Sequence, residues 1–269
     1  MSTLPKECDR FAMLTITRIP AFNDNYIWLL TDPQKGRCFV VDPGDADAVE
    51  AACKQYGVVL AGILITHHHH DHTGGIAQLT QSAAVPVYGP KNEKIAGITQ
   101  TLQEGDRIDV LGISLSILET PGHTAGHISY FGNCHSPVLF CGDTLFAGGC
   151  GRLFEGTAEQ LHASLNKLSA LPGETLVYCA HEYTLANLAF ARAVEPANAR
   201  LKERHRLTVQ LRREGRATVP SSIADERATN PFLRTCEQPV QRSVEEHSGK
   251  KLQSGTEVFA ALRRWKDTF

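Results

Sequence analysis

The sequence predicts an α+β protein in which a sandwich of strands and interspersed helices precedes a smaller helical region. Short apolar or alternating runs typical of strands recur as far as residue 182. Beyond that point only helix-like segments remain, separated by breaks rich in Gly, Pro and Ser. We therefore expect an α/β or α+β sandwich at residues 13–182, an α-helical domain at 183–269, and a flexible extension at 1–12.

Composition and charge describe a soluble globular protein. The 269 residues include 42% hydrophobic ones and carry a formal net charge of -2, which gives no electrostatic reason to bind nucleic acid. The longest apolar run, around 57–65, is too short to span a bilayer, and residues 1–11 are charged where a secretory signal would be apolar. The eight cysteines contain no C-x-x-C pair, so we expect buried free thiols in a reducing compartment. We expect a cytoplasmic monomer without membrane or nucleic-acid partners.

The predicted strands are short runs of apolar or alternating residues between turn signals. In chain order they lie at residues 14–17, 26–31, 37–42, 58–65, 85–88, 113–117, 127–131, 137–141 and 175–179. The run at 58–65 is continuously apolar, which predicts a buried strand, whereas 113–117 alternates strictly and predicts a half-buried one. A polar connection through Asp106 separates the predicted strands that end by residue 88 from those that begin at residue 113.

Helices are predicted where apolar residues recur every three or four positions. In chain order they lie at residues 46–56, 76–81, 157–171, 185–194, 196–213, 240–247 and 256–265. Thr157-Ala158-Glu159-Gln160 is a capping box that opens the third helix, and Pro172-Gly173 ends it. Basic residues outnumber acidic ones between 200 and 216, which we interpret as a solvated face, with weak steering of an anionic substrate as the alternative.

A histidine-rich loop, Thr66 to His72, directly follows the predicted buried strand. Imidazole and carboxylate groups suit zinc, manganese or iron, and ordinary packing gives no reason for five histidines in one loop. A turn near Asp71 would bring His72 to one face and leave enough ligands to begin two metal sites. In an extended chain, spacing alone does not choose between the set His67, His69, Asp71 and the set His68, His70, His72.

Three further strands also end in groups that can bind a metal, namely His123, Asp143 and His181. Each of these alone would more often be a hydrogen-bonded core histidine or a turn residue. Polar groups at the ends of several strands, however, are how a rigid sheet builds a site. The repeated pattern therefore predicts that these residues meet the histidine-rich loop.

These motifs resemble those of known metal-dependent hydrolases. T-H-x-H-x-D-H at 66–72, P-G-H-T at 121–124, G-D-T at 142–144 and a late histidine are similar to the ordered motifs of the metallo-β-lactamase superfamily. Additional segments resemble the glyoxalase II (hydroxyacylglutathione hydrolase) family over nearly all of residues 13–269: G-C-G-R-L-F-E-G at 149–156, A-H-E-Y-T at 180–184, N-P-F-L-R at 230–234 and R-R-W-K at 263–266. The resemblance implies a metallo-β-lactamase-type αββα sandwich followed by a C-terminal α-helical domain.

The resemblance also implies a ligand set for two divalent ions, zinc with iron or manganese as alternatives. Asp143 would bridge the two ions, and Asp71 and Asp143 would balance their charge and orient a shared hydroxide, which makes them the catalytic residues. His68 and His70 would not be ligands. The first ion would be held by His67, His69 and His123, and the second by Asp71, His72 and His181.

The implied reaction is hydrolysis of S-D-lactoylglutathione to D-lactate and glutathione by attack of that hydroxide, in methylglyoxal detoxification. The partner is then a small-molecule glutathione thioester, whose carboxylates call for nearby cations. Its contacts would be Arg152, Phe154 (a tyrosine in some family members), Tyr183, Arg263 and Lys266. Alternatives are a mononuclear-iron persulfide dioxygenase acting on glutathione persulfide, a nuclease or β-lactamase of the superfamily, and a catalytically idle metal-binding protein.

Overall fold

The computed structural model describes residues 14–32 and 34–269 of the chain. The strands are β1 Thr15–Ala21, β2 Asn25–Asp32, β3 Arg37–Val41, β4 Val59–Leu64, β5 Val87–Pro90, β6 Gln100–Leu102, β7 Arg107–Val110, β8 Ile113–Glu119, β9 Ile128–Cys134, β10 Ser136–Gly142, β11 Leu145–Phe146, β12 Gly149–Cys150, β13 Leu176–Cys179 and β14 Ser221–Ser222. The helices are α1 Ala46–Tyr56, α2 His70–Thr73, α3 Ile76–Ser82, α4 Ala158–Ser169, α5 Thr184–Val194, α6 Ala199–Arg213, α7 Ile223–Thr229, α8 Gln238–Ser248 and α9 Gly255–Thr268, with a 3-10 helix at Pro231–Leu233. The extension predicted at 1–12 lies outside the described residues.

The strands form two mixed sheets of six strands each and one short hairpin, β11–β12. The first sheet has the order β1-β2-β3-β4-β5-β6, in which the strands from β3 to β6 are parallel neighbours. The second has the order β14-β13-β10-β9-β8-β7, in which β10 and β13 are the parallel pair. Parallel neighbours end at the same edge of a sheet, so the segments that follow β3 and β4, and those that follow β10 and β13, lie side by side.

The first sheet is buried on both faces. Trp28 and Leu30 of β2 belong to a large apolar cluster that includes residues of both sheets. Ile27 and Leu29 belong to a second cluster, to which α1 adds Val49. Because successive side chains of a strand point to opposite faces, one face of this sheet packs against the second sheet and the other against α1 and α3.

The second sheet is also covered on both faces. The neighbouring residues Leu139 and Phe140 of β10 both belong to the large cluster, so this cluster extends through the sheet to its outer face. There α4 contributes three leucines that are fully buried, and each stabilises the fold by roughly 1.5–3 kcal/mol. These are Leu161, Leu165 and Leu168. The layers are therefore helix, sheet, sheet, helix.

Most of the predicted helices and strands are confirmed, with shifts at their ends. The capping box of α4 is present: Thr157 Oγ1 accepts from the Gln160 N–H at 3.3 Å, and the Gln160 side chain accepts from the Thr157 N–H at 2.9 Å. The helix predicted from 196 begins instead at Ala199, because Asn198 caps it by accepting from the Leu201 N–H.

Several short elements were not predicted. Strands β6 and β7 flank the supposed polar connection through Asp106, and the hairpin β11–β12 follows β10. The expectation that strands stop at residue 182 is wrong, because Ser221–Ser222 pairs with β13. Two-residue strands and the helices α2 and α7 are too short to show a hydrophobic period.

Two expectations about side-chain environment need correction. The basic segment 200–216 is not wholly solvated, because Arg204 contacts the fully buried Glu226 at 2.5 Å and Arg212 lies 3.6 Å from Glu182. Among the described cysteines most are buried, but Cys53 is half-buried and Cys236 is exposed.

Main-chain hydrogen bonds join the two sheets next to the end of β13. The Tyr26 N–H donates to Ala180 O at 2.7 Å, and the Glu182 N–H donates to Asp24 O at 2.9 Å. Asn25 and His181 form an isolated antiparallel bridge between these two bonds. The turn that precedes β2 is therefore fixed directly against the segment that follows β13.

Candidate metal centre

The seven side chains predicted as ligands come together at the ends of the strands. The first group contains His67, His69, His123 and Asp143, and the second contains Asp71, His72 and His181. Within each group, one potential ligand atom from every residue lies within 4.8 Å of the others. The ligand roles themselves stay a prediction, but the convergence that they require is present.

The histidine-rich loop is not extended, which resolves the alternation that spacing left open. Asp42, the residue after β3, accepts from the Thr66 N–H and from Thr66 Oγ1, both at 2.8 Å, and so fixes the start of the loop. The loop then turns into the short helix α2, His70–Thr73. This turn separates Asp71 and His72 from His67 and His69. His72 therefore joins Asp71 and His181, as the resemblance implies.

In the first group the imidazole nitrogens face one another. His69 Nδ1 lies 3.0 Å from His67 Nε2 and 3.1 Å from His123 Nε2, and His123 Nε2 lies 3.3 Å from Asp143 Oδ2. His123 Nδ1 lies 2.9 Å from the carbonyl oxygen of Arg152. A carbonyl only accepts, so Nδ1 carries the proton, and the lone pair of His123 Nε2 points into the cluster.

The second group is oriented in the same way. His181 Nδ1 donates to Asp24 Oδ1 at 2.8 Å, so Nε2 presents its lone pair 3.5 Å from Asp71 Oδ2 and 3.4 Å from Asp143 Oδ1. His72 Nδ1 lies 3.1 Å from Asp42 Oδ2, and its Nε2 lies 3.5 Å from both Asp71 and Asp143. Asp143 thus contacts members of both groups.

Asp143 is held in the ionised form and His67 in the neutral form, which are the forms that bind cations. Burial alone would raise the pKa of Asp143, but His72, His181 and His123 hold it well below its usual range. Burial lowers the pKa of His67 well below its usual value, and the neighbouring histidines add to this shift. Burial opposes charge on His72, yet Asp143 and Asp42 raise its pKa. The carboxylates are therefore ionised, and the cluster as a whole attracts positive charge.

Unpaired buried atoms show that a cation fits this cluster. Asp143 Oδ1 and His72 Nε2 are both buried, and neither has a hydrogen-bond partner among the described residues. Buried polar groups are nearly always satisfied, and a metal ion is one way to satisfy them. The donors are imidazoles and carboxylates, the set that divalent zinc, iron and manganese accept.

Three residues that contact the ligands were not predicted. Asp24 immediately precedes β2, and Asn25, the first residue of β2, donates from Nδ2 to Asp71 Oδ2 at 2.9 Å. Asp42 follows β3 and contacts both Thr66 and His72. The signal was available, because Asp42 is a carboxylate at the end of the predicted strand 37–42.

A cavity of about 440 Å³ opens beside the first group. All five residues predicted to contact the substrate line it. A larger groove of about 830 Å³, between α5 and α8, contacts none of the seven clustered residues. The lining of the smaller cavity is His123, Asp143, Phe146, Cys150, Arg152, Phe154, Tyr183, Ala186, Asn187, Arg263 and Lys266.

Aromatic rings form one wall of this cavity. Tyr183 stacks on His181 with ring centroids 4.7 Å apart and an interplanar angle of 4°. Phe154 is 63% exposed and meets His69 and His123 edge to face. The rings of Tyr183 and Phe154 therefore contact members of the two ligand groups.

The three cations in the lining differ in environment. Arg152 is exposed, whereas Arg263 is 4% exposed, donates to Cys150 O and Asp267, and lies over the ring of Phe232. The guanidinium of Arg263 therefore also holds the loop at Cys150, and its contact with the substrate stays a prediction. Lys266 is half-buried and lies over aromatic rings.

Comparison with known proteins agrees with this geometry. Residues 22–181 match the family model described as the metallo-beta-lactamase superfamily, and residues 182–269 match hydroxyacylglutathione hydrolase C-terminus. The chain is 56% identical to a hydroxyacylglutathione hydrolase of Pseudomonas fluorescens (strain SBW25), over 96% of this chain and 100% of that protein.

Two solved structures share the fold. ETHE1 from Myxococcus xanthus has a TM-score of 0.64 and 24% identity over 94% of this chain and 99% of its own. TTHA1623 in a di-iron-bound form has a TM-score of 0.50 and 27% identity over 62% of this chain and 91% of its own. None of the described helices is both long enough and apolar enough to cross a membrane. With the full-length relative at 56% identity, these matches confirm the predicted fold: the chain belongs to the hydroxyacylglutathione hydrolase family within the metallo-β-lactamase superfamily.

Proposed function

We propose that this protein hydrolyses S-D-lactoylglutathione to D-lactate and glutathione, the thioester hydrolysis that serves methylglyoxal detoxification. The observation that carries the proposal is the contact between the ligand cluster and the cavity, since His123 and Asp143 belong to both. A thioester held in the cavity would therefore have its carbonyl group beside the cluster.

The seven clustered residues fit two divalent ions, with Asp143 between them. His67, His69 and His123 would hold one ion, and Asp71, His72 and His181 the other. Ions held there would lower the pKa of a water molecule from about 16 toward 7 and polarise a carbonyl oxygen. We propose zinc, with iron and manganese as the alternatives that the same donors accept.

The protein's own residues orient this chemistry. Asn25 fixes the Asp71 carboxylate by donating to its Oδ2, and Asp24 fixes the His181 ring. Asp71 and Asp143 would neutralise part of the metal charge and accept hydrogen bonds from the attacking group. The leaving group is a thiolate, whose acid has a pKa of about 8.5, so it departs without an obligatory proton donor.

The cavity lining suits a glutathione thioester. Arg152 and Lys266 supply positive charge for the carboxylates of the tripeptide, and Tyr183 and Phe154 supply apolar walls. Because residue 154 is Phe, the hydroxyl contact that some family members make at this position is lost. We further propose that the protein acts as a cytoplasmic monomer, and that its substrate-binding helical domain begins at residue 183.

The persulfide dioxygenase is not favoured. The chain has a segment matching the hydroxyacylglutathione hydrolase C-terminus, and a full-length relative with that name is 56% identical. The seven clustered donors also form two groups, where a mononuclear enzyme needs one.

Elemental analysis of the purified protein, together with a thioester assay, tests the proposal. We expect about two divalent ions per chain and release of glutathione from S-D-lactoylglutathione without oxygen uptake. About one iron per chain with oxygen consumption on glutathione persulfide would instead establish the dioxygenase.

A further inference from the structure

Glu93 is a buried carboxylate beside the ligand cluster that the proposed mechanism does not use. It lies in the segment between β5 and β6, and its side chain is only 3% exposed. A buried carboxylate is costly unless donors surround it, so its partners indicate what it is for.

The partners of Glu93 come from two of the three loops that carry the first ligand group. Its Oε1 accepts from Thr124 Oγ1 and from the Gly126 N–H at 3.2 Å, and its Oε2 lies 2.9 Å from His68 Nδ1. Thr124 is fully buried. A Cβ on Gly126 would lie 2.6 Å from Glu93 Cγ and 2.8 Å from Asn92 O, so glycine alone permits this close approach.

Glu155 makes a parallel set of contacts from the other side. Its Oε1 lies 3.2 Å from His68 Nε2, and its Oε2 accepts from the Ala125 N–H at 2.9 Å. Three successive residues, Thr124 to Gly126, thus each donate to a carboxylate that also contacts His68. The side chain of Glu155 is 41% exposed, so its interactions are screened and weaker than those of Glu93.

These contacts tie His68 to the segment that follows His123. His68 lies between His67 and His69 in the chain, so this link fixes three of the four members of the first group relative to one another. The second group has separate supports, since His72 lies against Asp42 and His181 against Asp24. Among the hydrogen bonds and ion pairs of the described residues, Glu93 contacts none of the second group.

We infer that Glu93 is a positioning residue that sets the affinity of the first ligand group for its cation, with Glu155 as a weaker partner and His68 as the contact point on the histidine-rich loop. The inference rests on the two-ion site proposed above. It assigns a role to His68, one of the two histidines of the histidine-rich loop that the proposed ligand set leaves out.

The test is a zinc titration of the full-length protein against a competing chelator, which resolves two binding steps. The variants His123→Ala and His181→Ala identify the steps, because each removes a ligand from one group. We expect Glu93→Ala to weaken the first-group step by about 10- to 100-fold, the usual effect of losing a partner of a ligand, and to leave the second-group step unchanged.

Graded variants distinguish positioning from general stability. Glu93→Gln keeps an oxygen for Thr124 and Gly126 and alters only the contact with His68, so we expect a smaller loss than with alanine. Glu155→Gln should have the smallest effect. The control is Glu195→Gln, because Glu195 is also buried but pairs with Arg234 in the helical region. It should lower the melting temperature without changing either step.

Two results would overturn the inference: equal weakening of both steps in the Glu93 variants, or no weakening of either. If Glu93→Ala does not fold, Glu93→Gln and Glu155→Gln carry the same comparison. Failure of the wild-type protein to bind two ions would refute the proposed site itself, which is a separate outcome.

Discussion

Asp143 is the residue on which the two ligand groups depend most. Its Oδ2 lies 3.3 Å from His123 and its Oδ1 lies 3.4 Å from His181. Replacing Asp143 by Asn removes the negative charge while keeping the shape. Mutating a residue that only supports a metal ligand typically lowers metal affinity or activity by about 10- to 100-fold. Because Asp143 is itself a proposed ligand, we expect kcat to fall by at least about 100-fold and metal content to drop below two ions per chain.

The matched control for this substitution is Asp45→Asn, because Asp45 caps α1 and contacts none of the seven clustered residues among the described hydrogen bonds. Its kcat should equal that of the wild type. Unchanged turnover in Asp143→Asn, with circular dichroism showing an intact fold, would remove the proposed mechanism.

The proposed contact between Lys266 and the substrate should make binding sensitive to alkaline pH. Burial lowers its pKa below the ordinary value of 10.5, and the positive charges of Arg263 and Arg152 lower it further. In the proposed complex the charged form would bind the substrate carboxylate, so kcat/KM should fall as pH rises through this lowered pKa, earlier than for an ordinary lysine. Lys266→Met should raise KM at neutral pH by about 10-fold and abolish this alkaline fall.

Steady-state kinetics from neutral pH to about pH 10 measure this effect, after correction for spontaneous thioester hydrolysis. Lys202→Met, on the exposed side of α6, provides the comparison and should leave KM unchanged. An alkaline fall of equal size in the wild type and in Lys266→Met would show that another group is responsible.

Residue identity in the cluster could be predicted from sequence, but the supporting contacts could not. Histidines and aspartates at four strand ends are few enough to be recognised by type. Glu93 contacts His68 from 25 positions away, and Asp24 contacts His181 from 157 positions away. Such pairs depend on tertiary packing, which leaves no local pattern. The burial of Arg263 against Cys150 was missed for the same reason.

At the level of elements, the contact between the P-G-H-T segment and α4 places His123. Gly122 has φ of +143°, a conformation that favours glycine, and a Cβ there would lie 2.5 Å from the Cβ and 2.6 Å from the Cα of Leu161. We expect Gly122→Ala to lower the free energy of unfolding by about 2 kcal/mol or more, and to weaken metal binding because His123 must shift.

Urea denaturation and metal analysis test this expectation, with Gly173→Ala as the control. A Cβ on Gly173 would make only an ordinary contact, 3.5 Å from Ala224, so its stability should change by less than about 0.5 kcal/mol. Equal stability of the two variants would contradict the close packing of Gly122 against α4.

Elements with a sustained hydrophobic period were predicted well, and those without one were not. The leucine stripe of α4 and its capping box could both be recognised in the sequence, because each depends on residues a few positions apart. The pair Ser221–Ser222 has no such pattern, and it becomes a strand only because β13 offers hydrogen-bonding groups. The sequence indicated a turn near Asp71, but it did not show that this turn is the helix α2, which decides which group receives His72.

For the whole molecule, the metal ions should contribute to stability. Without them, Asp143 Oδ1 and His72 Nε2 are buried with no hydrogen-bond partner among the described residues. A ligand present at 100 times its Kd stabilises by about 2.7 kcal/mol, and two such ions would raise the Tm by about 10–20 °C in a chain of this size. Chelation should therefore lower the Tm, and added zinc should restore it.

Differential scanning calorimetry measures this shift. His123→Ala, which lacks a ligand of the first group, should show a smaller response to the chelator. Identical melting of the wild type with and without chelator would contradict a cluster that needs cations to be satisfied.

The main-chain hydrogen bonds from Tyr26 to Ala180 and from Glu182 to Asp24 also restrict local motion. Strand ends normally fray and exchange their amide protons quickly with solvent. Here the segment after β13, which carries His181, is bonded to the turn before β2, so we expect its amide protons to exchange slowly. The same bonds would hold His181 in place beside Asp71 and Asp143 while other parts of the sheets fluctuate.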